Sequence, residues 1–311
     1  MGRHRCHLMR ISFAARTNMA LCFFIAREPL AVRLTVRFGT AVALLAFGMT
    51  KREGQSKAGP SAGCVELWGA NERTHRHIEL ANLHCDVVSL PCGDSKGGDL
   101  WAVFSCGGNK SVRIVLADSP GHGFTASAAA EEMHRLLHKF SGTKDAASLL
   151  AALNDDLAHD GDSANQAARL TTVVAATMDH LSGEFNFAYA AHPRMLHWRA
   201  REARWQPLGQ NLDGMLLGYI AGEAYNQQSV RLEPADIVLA FSDGVTEVES
   251  PQGEQLSAEG FLKLVRTTLG DSPQSLSLHE IAEQVLEALT SFRGSREFDD
   301  DLTLLTLRRP K

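Results

Sequence analysis

The sequence carries no surplus of positive charge: 31 Lys and Arg stand against 36 Asp and Glu, a formal net charge of −5. Such a balance argues against a general binder of polyanions, so no nucleic acid partner is expected, and any phosphate chemistry must take its positive charge from elsewhere. Zinc-like spacing is missing too. The six cysteines, Cys6, Cys22, Cys64, Cys85, Cys92 and Cys106, all fall in about the first third, with no CxxC pair and no regular framework. They read as reduced thiols of a cytoplasmic protein, with a disulfide pair as the lesser reading. The apolar stretch Thr40 to Met49 is well short of the roughly 20 residues a membrane-spanning helix needs, and Arg37 interrupts its upstream side. No small-residue cleavage site clearly follows it, so neither a membrane anchor nor a secretory signal is expected. No internal repeat is present.

What is there begins with a segment of its own composition. Up to about residue 50, Arg3, Arg5, Arg10, Arg16, Arg27, Arg33 and Arg37 sit among apolar residues, with Glu28 the only acid. An organelle transit peptide has this character. The preferred expectation is that residues 1–63 are an extension and linker, disordered or absent from the mature protein, with translation starting downstream near Met49. Residues 51–63, "KREGQSKAGPSAG", are charged and small with Gly and Pro punctuation, as in a linker. The folded domain is expected over 64–309. No sensor domain of ordinary size fits before it, so control is expected from a partner, from dimerisation or from a separately encoded input, with the protein a monomer or homodimer.

Beyond residue 64 short apolar strands alternate with a few helices. "VRIVLAD" (112–118) is a continuous apolar run of strand length. Met133, Leu136, Leu137 and Phe140 recur at helical spacing, as do Leu149, Leu150, Leu153 and Leu157, which predicts two amphipathic helices. "TTVVAATMDHLSGEFNFAYAAH" reads as two strands joined by a turn at Ser182-Gly183, and "SVRLEPADIVLAFSD" as a second such pair joined through Pro234. Ser257 can cap a helix carrying Phe261, Leu262, Val265 and Leu269 and closed by Gly270; Ser277 with Glu280 forms a capping box for another. "LTLLTLR" is the last strand. Strands and helices segregated in this way predict an α+β sandwich rather than a doubly wound parallel sheet.

An aspartate recurs at the border of an apolar strand, beside Gly or another small or acidic residue: Asp99 in "KGGDLWAVF", Asp118 in "LADSPGHG", Asp243 in "FSDGVTE", and the run Asp299, Asp300, Asp301 before "LTLLTL". One such carboxylate is ordinary turn chemistry. Several converging without arginine partners would repel one another and raise each other's pKa, a conflict that divalent cations remove. Hard oxygen donors suit Mg²⁺ or Mn²⁺, and a pair of such ions can activate water and clamp a phosphoryl group.

Taken together, "GGDLWAVF", "VRIVLADSPGHGFTASAAA", "LSGEFNFAYAAHPRMLHW", "DIVLAFSDGVTEVESPQGEQL" and "DDDLTLLTLRR" resemble the SpoIIE/RsbU-type bacterial branch of the PPM (PP2C-like) protein serine/threonine phosphatases. The resemblance covers roughly residues 64 to 309. It implies an α-β-β-α sandwich of two mainly antiparallel sheets flanked by helices, with a site for two Mn²⁺ or Mg²⁺ ions at one edge. It further implies that Asp118 bridges both ions, that Asp99 serves one of them, that Asp243 and Asp300 hold the other, and that the Ser119 carbonyl adds a ligand. Asp301 is the second choice from the acidic run. Hydrolysis of phosphoserine or phosphothreonine by direct attack of metal-activated water follows from the same resemblance, with Asp118 and Asp243 as catalytic residues. His122 in "GHG" could protonate the leaving group, although a histidine between two glycines also serves the turn. His192 in "AAHPR" reads as structural. A regulatory phosphoprotein, an anti-sigma or STAS-like anti-anti-sigma factor, is the implied substrate.

The match departs from the family pattern at three places: Pro120 follows Ser119, Ala102 stands where many relatives keep an acid, and Ala191 stands where glycine is usual. From Pro120 and Ala102 comes the alternative of a pseudophosphatase that binds a phosphoprotein without turnover.

Overall fold

The computed structural model describes residues 22–24, 32–38, 41–47, 65–70, 72–80, 83–92, 97–106, 111–121, 123–159 and 170–310. The chain divides into two units, Met1–Gln55 and Ser56–Lys311. In the first, β1 (Cys22–Phe24), β2 (Val32–Phe38) and β3 (Ala41–Phe47) form an antiparallel sheet in that order. The expected linker over 51–63 lies outside the described residues.

The second unit runs β4 (Val65–Ala70), β5 (Thr74–Leu80), β6 (Leu83–Leu90), β7 (Leu100–Cys106), β8 (Ser111–Asp118), α1 (Phe124–Lys139) and α2 (Ala146–His159). It continues with β9 (Thr172–Asp179), β10 (Glu184–Ala190), β11 (Leu196–Arg199), β12 (Arg204–Pro207), β13 (Gln227–Arg231), β14 (Ile237–Phe241) and the short α3 (Asp243–Thr246). It closes with α4 (Ser257–Leu269), α5 (Leu278–Arg293) and β15 (Leu302–Arg308). Two six-stranded sheets result, in the orders β13-β10-β9-β8-β7-β4 and β12-β11-β14-β15-β6-β5, with antiparallel pairing throughout.

Period-two alternation sorts the side chains into layers. On β7, Trp101 and Val103 face the space between the sheets, while Leu100, Ala102 and Phe104 lie under the helices. The inter-sheet layer joins Ile114 and Leu116 of β8 and Phe185 and Phe187 of β10 to Val87, Ala240 and Leu305 of the other sheet. Outside it, Met133, Leu136, Leu149 and Leu153 of α1 and α2 cover the first sheet, and Phe261, Val265, Ile281 and Val285 of α4 and α5 cover the second. Each such large apolar side chain contributes about 1.5–3 kcal/mol on burial. The second unit is therefore the expected α+β sandwich, layered helix, sheet, sheet, helix.

The expected helices form where the sequence signals them. Ser277 Oγ accepts the Glu280 N–H and the Glu280 carboxylate accepts the Ser277 N–H, the reciprocal cap of α5. Ser257 Oγ accepts the Gly260 N–H at the start of α4. One expectation is corrected. The strands either side of Pro234 are no hairpin: β13 pairs with β10 in the first sheet and β14 with β11 and β15 in the second, so the connection crosses between layers. Buried Asp236 shapes that crossing by accepting the Glu233 and Ala200 N–H groups and bonding His197 at 3.1 Å. The polar β13 suits a sheet edge, whereas Ile237 to Phe241 of β14 are buried on both faces. Among the described residues no helix is long and apolar enough to cross a membrane.

Candidate active site

At one end of the sandwich four loops meet. Asp99 directly precedes β7, Asp118 ends β8, Asp243 opens α3 just after β14, and Asp300 directly precedes Asp301 and β15. Glycine permits the approach at two contacts. A Cβ on Gly98 would stand 2.2 Å from the Ser119 carbonyl oxygen, and one on Gly244 would stand 2.0 Å from the Asp301 carbonyl oxygen. Any larger residue there would force the loops apart.

The four carboxylates feel one another. Burial, then the negative charges of Asp99 and Asp243, push the Asp118 carboxyl up to about 10, aided by a hydrogen bond with the Asp243 side chain and by Asp300. Burial likewise drives Asp99 well above the ordinary carboxylate range; hydroxyl bonds from Thr303 and Ser242 oppose this, and the charges of Asp301 and Asp243 add to it. Asp300 is raised to about 6, by burial first, against the Asp301 N–H that it accepts at 2.8 Å and with the charge of Asp243. Glu247 at the rim is raised by burial and then by Asp243. Among the described residues no Lys or Arg forms an ion pair with Asp99, Asp118, Asp243 or Asp300. Two like charges about 4 Å apart cost about 4 kcal/mol at an effective dielectric of 20, so the cluster calls for protons or for cations.

The donor set discriminates between cations. It consists of carboxylate oxygens with a backbone carbonyl beside them, the hard-oxygen chemistry of Mg²⁺ and Mn²⁺ rather than that of zinc. Asp99 Oδ2 accepts the Ser242 hydroxyl at 2.7 Å, whereas its Oδ1 is buried with no hydrogen-bond partner. A buried carboxylate oxygen left in that state is costly unless a cation takes it. The residues present thus fit a divalent ion.

Ser119 is buried, its Oγ 3.2 Å from Thr171 Oγ1 and its N–H directed at the Gly98 carbonyl at 3.4 Å. Asp301 is separated from the cluster in role: its Oδ1 accepts the Cys92 N–H at 2.7 Å and its Oδ2 the Gly98 N–H at 2.5 Å, so it pins the loop that carries Asp99. Asp299 is exposed. His122 lies outside the described residues. His192 is buried, 2.9 Å from Thr172 Oγ1, and burial holds its imidazole down at about 3, which keeps it neutral. Sequence reasoning missed Ser242 and Thr303. Ser242 Oγ donates to Asp99 and accepts the Thr303 N–H at 2.9 Å, coupling two loops. The only signal was their adjacency to Asp243 and to the acidic run.

The departures from the family pattern also have physical readings. Ala102 is buried in the apolar layer beneath α1 and α2, so an acid there would sit in hydrocarbon. Pro120 is exposed at a bend. Ala191 holds a left-handed φ of 51° while its N–H reaches the Gly214 carbonyl at 2.8 Å, a conformation that favours glycine.

Comparison with known proteins agrees with this fold. Residues 108–310 match the family model "Stage II sporulation protein E (SpoIIE)". The chain is 25% identical over 228 residues to "Phosphoserine phosphatase RsbU" of Bacillus subtilis, covering 73% of this chain and 63% of that protein. The RsbU and RsbW domains of Rv1364c from Mycobacterium tuberculosis superpose with a TM-score of 0.61 at 23% identity, over 74% of this chain and 60% of that one. The PP2C phosphatase domain with a regulatory fragment of SpoIIE from Bacillus subtilis gives a TM-score of 0.59 at 16% identity, over 92% and 80%. The chain thus spans less than two thirds of RsbU and of the Rv1364c structure. Its fold is the PP2C fold.

Proposed function

This chain belongs to the Stage II sporulation protein E family, and on that premise we propose that it is a Mn²⁺- or Mg²⁺-dependent protein serine/threonine phosphatase. The observation that carries the reading is the convergence of Asp99, Asp118, Asp243 and Asp300 with no cationic side chain paired to them among the described residues. RsbU, which the chain resembles, is named a phosphoserine phosphatase, which supports the same reaction class.

Asp118, which interacts with Asp99, Asp243 and Asp300 at once, is the carboxylate to be shared between two ions. Asp99 would serve one of them, Asp243 and Asp300 the other, with the Ser119 carbonyl as a further oxygen donor. Ions held there would supply Lewis-acid polarisation of the phosphoryl group and of the attacking water. The chain's own share is positional. Ser242 orients Asp99 through its 2.7 Å hydrogen bond, and Asp301 fixes the backbone on which Asp99 stands. The reaction is phosphomonoester hydrolysis without a covalent phosphoenzyme, and His122 is assigned, on sequence grounds, as proton donor to the departing serine or threonine oxygen. The substrate is a regulatory phosphoprotein of STAS-like anti-anti-sigma type, acted on in the cytoplasm.

Phosphate release from a phosphoserine protein tests the proposal. Turnover should require Mn²⁺ or Mg²⁺ and should collapse in Asp118→Asn and Asp243→Asn. Equal turnover in excess chelator would end it. Binding of Mn²⁺ and phosphoprotein with no release of phosphate would favour the pseudophosphatase, from which the buried, apolar setting of Ala102 removes one support.

A further inference from the structure

A second group of metal-binding side chains lies away from the carboxylate cluster, where β5 and β6 meet the start of α5. Its centre is Asp86, whose side chain is fully buried although it is a carboxylate. Its oxygens face imidazoles: His75 Nε2 stands 2.7 Å from Oδ1, while His77 Nδ1 and His279 Nδ1 stand 3.3 and 3.7 Å from Oδ2. His77 is held from its other side by Glu79, at 3.3 Å. His75 and His279 differ. Their rings stack with centroids 4.2 Å apart, and His279 Nε2 lies 3.2 Å from Glu283 Oε1, one helical turn further along α5.

Asp86 stands to His75 and His279 as a supporting carboxylate stands to metal-binding imidazoles. A histidine that binds a metal through one ring nitrogen characteristically gives the other to a carboxylate, which fixes ring orientation and tautomer. Asp86 occupies Nε2 of His75, leaving Nδ1 for an ion; it faces Nδ1 of His279, leaving Nε2 beside Glu283. Ligand atoms of His75, His279 and Glu283 lie within 4.8 Å of one another. Around a tetrahedral ion with bonds of about 2.0–2.1 Å, neighbouring ligands are about 3.3 Å apart. Ring-nitrogen lone pairs lie in the ring plane, so binding one ion requires an imidazole to turn out of the stack, and the side chains of His75, His279 and Glu283, with 31%, 51% and 54% of their surface exposed, have room to do so. The seat beneath them is firm: the Thr306 hydroxyl reaches the carbonyls of Asp86 and Leu278 at 3.3 and 3.4 Å, tying β6 and the first turn of α5 to β15.

We propose that His75, His279 and Glu283 form a binding site for a late first-row divalent cation, Zn²⁺ being the fitting ion, with Asp86 as its positioning residue. Two imidazoles and a carboxylate suit such an ion, and water completes the fourth position. This chemistry differs from that of the all-oxygen cluster, so the two sites select different metals. An ion here clips β5, the edge strand of its sheet, to α5 and so guards an open sheet edge.

Zn²⁺ binding by the full chain, measured by competition with a chromophoric chelator under saturating Mg²⁺, tests the proposal. One equivalent should bind, and its affinity should fall about tenfold or more in His279→Ala and in Glu283→Gln. Asp118→Asn should leave it unchanged. Co²⁺ in place of Zn²⁺ should give the visible absorption of a four-coordinate site, lost in His279→Ala. Glu283→Gln, an exposed change on a helix face, decides the matter if the histidine variant does not fold. Absence of Zn²⁺ binding under Mg²⁺, or equal affinity in wild type and Glu283→Gln, would overturn the assignment and leave the imidazoles as hydrogen-bond partners of Asp86 alone.

Discussion

The carboxylate of Asp301 accepts the backbone N–H of Gly98 at 2.5 Å, joining the segment before the last strand to the loop that carries Asp99. Its other oxygen holds the Cys92 N–H at 2.7 Å. Neighbouring Asp300 makes no such long-range bond among the described residues and instead stands in the field of Asp243. Adjacent aspartates therefore predict opposite phenotypes. Asp301→Ala removes the acceptor of the buried Gly98 N–H and should cost about 1–3 kcal/mol in urea unfolding of the metal-free protein. Asp300→Asn should leave metal-free stability equal or higher while weakening Mn²⁺ binding by calorimetry. Equal stability losses in the two variants would contradict the division of roles.

Asp118 predicts a trade between stability and binding. With its carboxyl raised to about 10, the metal-free fold carries a group that would otherwise ionise near 3.9. Replacement by the near-isosteric Asn removes that conflict, so metal-free Asp118→Asn should exceed wild type at pH 7.5 by on the order of 2 kcal/mol. The Mn²⁺-induced rise in Tm should disappear in the same variant. A metal-free Tm below wild type would sink this account.

The sign of the pH dependence follows from the same groups. A carboxyl whose folded pKa is raised binds its proton more tightly in the folded state, so its contribution is fully present below its unfolded pKa and is lost as pH rises through the folded value. For Asp300, at about 6, and Asp118, at about 10, the carboxyls' contribution to metal-free stability should decline from pH 4 upward, most visibly above pH 6.5 where the opposing titration of His192 is complete. Divalent ions replace the protons, so the Tm increment from Mn²⁺ should be larger at pH 8 than at pH 5.5. Scanning calorimetry in chelator and in Mn²⁺ checks both trends.

Much of this was legible in the sequence because it is periodic or punctuated. The helices rest on apolar spacing at Met133, Leu136 and Leu137, and the α5 cap on Ser277 and Glu280, both local signals. The strand-end aspartates were visible because each follows or precedes a buried run. Long-range partnership was not legible. The resemblance ranks Asp300 above Asp301 as a ligand, but nothing in the sequence shows the structural task that the tertiary approach of Gly98 gives Asp301. Pro234 marks a turn but carries no information about whether the next strand rejoins the same sheet. His75 and His279 share no spacing that could announce a meeting, since a strand edge and a distant helix supply them.

Ala191 predicts a gain from a smaller side chain. Its φ of 51° is left-handed, and its exposed methyl group has little packing to lose. A non-glycine residue in that conformation costs about 1–2 kcal/mol, partly offset by the larger unfolded-state entropy of glycine. Ala191→Gly should therefore stabilise the protein by about 0.5–1 kcal/mol, a rise in Tm of about 1–4 °C. A lower Tm would mean that the turn does not store this strain.

His192 governs the acid side of stability through a separate route. Burial holds its pKa at about 3, against about 6.5 for an unfolded histidine, while Thr172 Oγ1 bonds Nδ1 at 2.9 Å. Below pH 6.5 the unfolded chain takes up a proton that the folded one refuses, so this residue's contribution is intact above pH 6.5 and drains away as pH falls toward 3. His192→Asn keeps a polar group near the Nδ1 position and cannot titrate. The carboxylate cluster is common to both proteins, so subtracting their stability curves isolates the histidine. Wild type should lose up to about 1.4 kcal/mol per pH unit more than the variant between pH 5.5 and 4. Parallel curves over that range would mean that His192 is reached by protons in the folded state, and that the end of β10 opens more readily than its burial implies.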